Sequence, residues 1–108
     1  MSLFQARHWW RTRLGSGEEF THGSLVVANV DNDPNGAAKI VTGSLDGMLR
    51  IHMPEHQQDG LEDDHFQLME QSLDLPILQL AVGTFVPREP GSLALAVLHP
   101  RRLVVYRV

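Results

Sequence analysis

The chain has 108 residues, 43% of them hydrophobic, a size and composition that suit one compact unit or a piece of a larger one. Nine basic residues against thirteen acidic ones leave a formal charge of -4, which excludes a duplex nucleic-acid binder relying on a clustered basic surface. There is no cysteine, so disulfides and thiolate metal sites are excluded, and an intracellular setting is compatible.

The first residues show no basic segment followed by an apolar core, and Ser2 stands where myristoylation needs glycine, so neither a secretory signal nor that lipid anchor is expected. Residues 3–10 read as a short strand, with Phe4, Trp9 and Trp10 as large apolar side chains among arginines. Residues 14–20 read as a turn into one helical turn, capped by Ser16 and anchored by Phe20.

Residues 25–28, reading Leu-Val-Val-Ala, are apolar on both alternate sets, which predicts a strand buried on both faces. A polar loop over 31–36 follows and ends in Gly36. Residues 39–44 and 48–53 flank Leu45-Asp46-Gly47, and an Asp-Gly pair between β-rich runs predicts a type I′ hairpin. Residues 54–64 form a polar connection. Residues 65–74 fit either pattern: Phe66, Met69 and Leu73 make a helical stripe, whereas Phe66 and Leu68 alternate as in a strand. The strand is favoured on architecture, because three preceding strands need an outer fourth to complete a propeller blade.

The plan then restarts. Residues 77–85 predict a strand, 87–91 a turn, and 93–99 and 103–108 two more strands. An offset of fifty-five pairs Leu25 with Leu80, Val27 with Val82, Gly36 with Gly91, Ile40 with Leu95, Leu49 with Val104 and Ile51 with Tyr106. A strand-only repeat of this period indicates propeller blades. The expected fold is therefore all-β: the N-terminal part of a β-propeller with about two four-stranded antiparallel blades. Residues 1–23 form an N-terminal strand and connection, 24–75 the first blade, and 76–108 a second blade lacking its outer strand. A lone blade leaves its sheet faces open, so the chain is expected to belong to a longer protein or to find partners for them. The longest apolar run, 93–98, falls well short of the roughly 20 residues a membrane-spanning helix needs, and a soluble chain is expected.

Candidate chemistry is sparse. Asp31, Asp33 and Asn35 place oxygens at alternate positions before Gly36, as in a calcium loop. The EF-hand form fails because Thr42 stands at the twelfth position, and the loop form found between propeller strands meets Lys39 where its last acid belongs. A calcium- or ligand-binding β-domain using this loop is the alternative reading; a local turn stabilised by Asp and Asn is preferred, and no metal is favoured. His52, His56 and His65, near Glu55, Glu62, Asp63 and Asp64, contain metal-ligating types, but Pro54 interrupts the helical spacing and a solvated acidic loop is preferred. No Gly-x-Ser-x-Gly elbow or phosphate-cradling glycine loop occurs, so no enzyme, catalytic residue or cofactor is expected. Phe4, Trp9 and Trp10 are candidate interaction or ring-closing residues.

The opening 2–10 (SLFQARHWW), the Glu18-Glu19-Phe20 and Ala28-Asn29-Val30-Asp31-Asn32 segments, and Gly43-Ser44 with Gly47-Met48-Leu49-Arg50-Ile51 resemble the N-terminus of the Bardet-Biedl syndrome protein nine family. This family is also called the parathyroid hormone-responsive protein family. The resemblance continues through Gly83-Thr84-Phe85, Leu95-Ala96-Val97-Leu98-His99 and Leu103-Val104-Val105-Tyr106. It implies a non-enzymatic subunit of the BBSome, a coat-like complex that moves membrane proteins into and out of cilia. Other BBSome subunits are the implied partners. The implied location is the cytoplasm, the cilium and its base or centrosomal region, with membrane association only through the complex. It also implies that residues 3–10 supply the outer strand of the last blade and so close the ring.

Overall fold

The computed structural model describes residues 5–7, 9–54 and 67–108. It holds seven strands: β1 (Leu25–Ala28), β2 (Lys39–Gly43), β3 (Met48–His52), β4 (Gln67–Ser72), β5 (Gln79–Gly83), β6 (Ala94–His99) and β7 (Arg102–Tyr106). They form a four-stranded sheet in the order β1-β2-β3-β4 and a three-stranded sheet in the order β5-β6-β7, with every pairing antiparallel. No described residue is helical. The all-β expectation and the division into two up-and-down sheets hold, and residues 67–72 resolve to strand rather than helix.

Alternation explains which side chains meet. Across the first sheet Val41 faces Ile51, and Leu49 lies on the same side, two residues along β3. From the second sheet, Leu80 faces Val97, with Leu95 two residues away along β6. These six side chains, with Val30 and Ile77, are buried together as the core between the two sheets. Each stabilises the fold by about 1.5–3 kcal/mol as its apolar area leaves water. Gly43 permits this close stacking: a Cβ there would collide with the Ile77 side chain.

Main-chain bonds tie the sheets at one end. Ile77 donates to Ser44 O at 3.0 Å and Leu80 to Gly23 O at 3.0 Å, while the Thr21 hydroxyl donates to Leu78 O at 2.6 Å. At the loop end, the Asn32 amide donates to Leu93 O at 3.1 Å and accepts from Leu93 N–H at 2.8 Å. Asn32 adopts φ 54°, a left-handed conformation that asparagine tolerates better than most residues.

Four local expectations are corrected. The β2–β3 connection is not type I′, which needs positive φ at both central residues. Gly47 has φ 92° and Asp46 is not in that region. Gly47 N–H donates to Ser44 O and Ser44 N–H to Met48 O, both at 3.0 Å, so the loop comprises three residues, 45–47. In such a loop the glycine alone takes the left-handed position. Second, the described residues among 3–10 are in no strand, and residues 9–22 form a strap that runs across the face of the first sheet. Third, the helical turn expected near Ser16 is a simple turn closed by Glu18 N–H to Gly15 O, and Phe20 is exposed. Glu19, not Phe20, fastens this stretch, its carbonyl accepting from Leu45 N–H at 2.8 Å. Fourth, β1 is covered on one face only: Leu25 and Val27 are 58% and 59% exposed.

Candidate functional site

The 31–36 loop is built from asparagine and aspartate bonds to its own backbone. Asn29 Nδ2 donates to Asp33 O at 2.9 Å and its Oδ1 accepts from Asp33 N–H at 3.0 Å. Asn35 and Gly36 N–H groups donate to Asp33 Oδ1 and Asp33 O at 2.9 and 2.8 Å, and Gly36 takes φ 75°. These turns gather oxygens around one point, and the Lys39 ammonium fills it. Its Nζ lies 2.8 Å from Asp31 Oδ1, 3.2 Å from Asp33 Oδ2, 3.1 Å from Asn29 Oδ1 and 2.7 Å from Ala37 O.

Lys39 is 1% exposed. Burial pulls its pKa down, but hydrogen bonds and charge from Asp31 and Asp33 together outweigh that and hold it above the ordinary lysine value. Asp33 is held below the usual carboxylate range, first by the Asn35 N–H and then by Lys39. The oxygens that the sequence offers to calcium are thus engaged by a covalently attached cation. Asp31 and Asp33 converge on it, whereas Asn35 contributes its main-chain N–H and projects outward. Asn29 and the Ala37 carbonyl were not singled out from sequence; Asn29 extends the alternate-oxygen pattern by one step, but a main-chain carbonyl leaves no residue-type signal.

A second constellation lies on the outer face of the first sheet. The pairing of Leu25 with Thr42, Thr42 with Arg50 and Arg50 with Glu70 puts these four side chains in one row. Arg50 Nε donates to Glu70 Oε2 at 3.0 Å, and its two terminal nitrogens grip the Glu18 carboxylate of the strap. The Glu18 bonds hold the guanidinium pKa above its ordinary range, and Arg50 in turn holds Glu18 below the usual carboxylate value.

The neighbouring row carries Val27, Ile40 and His52. The Trp10 ring lies over His52 with centroids 5.8 Å apart and planes tilted by 57°. His52 is 2% exposed, yet among the described residues neither ring nitrogen has a hydrogen-bond partner, and the buried Thr42 hydroxyl has none there either. Burial, reinforced by Arg50 and opposed by Glu70, pushes the His52 pKa below the ordinary histidine value. His52, Thr42, Leu25, Ile40 and the strap's Trp10 and Leu14 border a cleft of about 250 Å³.

Of the aromatic candidates, Trp10 packs on this face, Trp9 is 53% exposed, and Phe4 lies outside the described residues. His56 and His65, with Glu55, Glu62, Asp63 and Asp64, also lie outside them. Among the described residues no group of three or more histidine or acidic side chains converges as a metal site.

Comparison with known proteins places this architecture. The chain matches the family described as PTHB1 N-terminal over residues 1–108. It is 50% identical to Protein PTHB1 of Homo sapiens over 110 residues, 48% identical to that of Xenopus laevis over 110, and 49% identical to that of Mus musculus over 112. The alignments cover 100% of this chain but only 12–13% of those relatives' length. Two stacked antiparallel sheets and a whole-chain match at this identity lead to one conclusion: the chain belongs to the PTHB1 N-terminal family.

Proposed function

We propose that the chain forms the beginning of a β-propeller in a non-enzymatic scaffold subunit of the BBSome, the coat-like complex that carries membrane proteins to and from cilia. The observation that carries this reading is the pair of stacked sheets with apolar side chains turned away from their shared core. Leu25 and Val27 are exposed on one sheet, and Leu98, Leu103 and Val105 on the other. Such faces suit further blades on both sides, as in a ring of stacked sheets. The partners on this reading are other BBSome subunits, and the location is the cytoplasm, the cilium and its base, with membranes reached through the complex. Nucleic acid is no partner.

The test is affinity purification of the tagged full-length protein from ciliated cells. Stoichiometric recovery of the other complex subunits and signal at the ciliary base are expected. A protein that purifies alone and is absent from cilia and their bases would sink the reading.

A further inference from the structure

A segment that crosses a sheet without joining its ladder keeps a main chain that an enzyme can grasp. Residues 9–22 are such a segment, and Gly15-Ser16-Gly17-Glu18 is its tight turn, closed by Glu18 N–H to Gly15 O at 3.3 Å with Gly17 at φ 77°. Ser16 stands exposed at the corner of this turn. Arg13 precedes it by three residues and Arg11 by five, which writes Arg-x-Arg-x-x-Ser, and both arginines are exposed.

We propose that Ser16 is a phosphorylation site for an arginine-directed serine kinase, and that its phosphate loosens the strap by drawing Arg50 away from Glu18.

The spacing carries the recognition. Alternate residues of an extended peptide point the same way, so Arg11 and Arg13 present two guanidinium groups on one side for carboxylates of the kinase to grip. The segment is taken in extended form, and contacts made in the fold are exchanged for those of the enzyme. Glu18 and Glu19 follow Ser16, a pattern that suits acid-directed kinases instead. The structure favours the arginines. Arg50 grips the Glu18 carboxylate and the Glu19 carbonyl accepts from Leu45 N–H, so reading the acidic side requires the strap to be unfastened first, whereas the arginines precede both fastenings. In the transfer Ser16 Oγ attacks the γ-phosphorus of ATP. The Oγ–P bond forms, the bond from phosphorus to the ADP oxygen breaks, and the hydroxyl proton passes to the kinase's aspartate base.

The consequence follows from what lies beside the turn. A Cβ on Gly15 would meet both the Glu18 carboxylate and Arg50 Nη2, so the fork rests against the backbone of the residue next to Ser16. Arg50 holds Glu18 below the usual carboxylate range, which keeps it charged at neutral pH. A phosphate on Ser16 adds about two negative charges next to Glu18 and Glu19 and offers Arg50 a competing anion. Repulsion and competition both act against the fork, and the strap loses hold of the sheet.

The experiment uses the full-length polypeptide, Mg-ATP and two active serine kinases, one selecting arginine three and five residues before the serine and one selecting an acid three residues after it. Mass spectrometry should place phosphate on Ser16 with the first kinase. Arg13→Gln should slow that transfer about tenfold or more, as for loss of a hydrogen bond to a charged group. No phosphate on Ser16, transfer by the acid-directed kinase alone, or an unchanged rate in Arg13→Gln overturns the site. Hydrogen exchange of the peptides containing Glu18 and Leu45 then follows the strap, and phosphorylation should speed it about tenfold or more. Unchanged or slower exchange overturns the release. Ser16→Ala, treated alike, should exchange as the untreated protein does; faster exchange in that variant would move the effect to another residue and likewise overturn the release.

Discussion

The Arg50 guanidinium holds the Glu18 carboxylate in two parallel hydrogen bonds, Nη1 to Oε2 at 2.7 Å and Nη2 to Oε1 at 2.9 Å, across thirty-two residues of chain. This fork holds the strap on the face of the first sheet together with the Glu19 carbonyl and the Trp10 ring. A planar guanidinium matched to a carboxylate fixes direction as well as distance. Glu70 engages the remaining Nε, so the buried cation has partners on both sides.

Glu18→Gln should therefore cost about 2 kcal/mol, the scale of a hydrogen bond to a charged group. Arg50→Met should cost less than Arg50→Ala, because part of the arginine's role is to fill space. Denaturant unfolding of the variants measures both, and tryptophan emission reports whether Trp10 leaves the sheet with the strap. An unchanged midpoint for Glu18→Gln would show that the fork adds nothing to stability.

Stability should fall in two stages on acidification. His52 has a depressed folded-state pKa, so below about 6.5 the unfolded chain binds a proton that the folded chain refuses, and folding weakens as pH falls. Glu18 is also depressed: its contribution is full above its ordinary value of 4.5 and is lost as pH drops through the lower folded value. A Tm series against pH checks this. His52→Phe should flatten the upper stage and Glu18→Gln the lower one.

Lys39→Met should lower Tm, because it removes the cation from between Asp31 and Asp33 and leaves their carboxylates facing one another. Lys39→Arg should rescue poorly, since a planar fork does not reproduce a compact ammonium surrounded by oxygens. Calcium titration of the unsubstituted protein should show neither heat nor thermal stabilisation at this loop, because the ammonium occupies its oxygens. Calcium-dependent stabilisation that Asp33→Asn abolishes would restore the cation-loop reading.

Gly43→Ala should destabilise by about 1–3 kcal/mol through overpacking, since its new methyl meets Ile77. Combining it with Ile77→Ala should cost less than the two single losses added together, because the smaller partner makes room. Additive losses, read from denaturant midpoints, would place the cause elsewhere. Gly47→Ala should be worse than a surface change for a different reason: the left-handed φ of 92° disfavours a Cβ, which would also sit 2.6 Å from Leu75 O.

The strands were legible because side-chain alternation is local. Val41, Leu49 and Ile51 mark the buried side of the first sheet within a few residues of one another, and the fifty-five-residue offset marks the second sheet before any contact is known. Lys39 was legible as an obstacle to calcium but not as the occupant of the loop. Type alone says that a lysine carries charge; only the folded turns around Asn29 and Asp33 say where that charge ends up.

The course of the strap was not legible, and the reason is physical. Residues 3–10 have the apolar content of a strand, but a strand also needs a hydrogen-bonding edge, and propensity does not specify which edge is offered. The fork between Glu18 and Arg50 instead lays residues 9–22 across a sheet face. By itself the sequence determined an all-β chain of two repeated sheets, because alternation and turn residues act over short range. Tertiary structure alone decided that Lys39 fills its loop, that Gly43 admits Ile77, and that Trp10 lies over a buried His52. Each of these depends on groups distant in the chain meeting within a few ångströms, which no local pattern encodes.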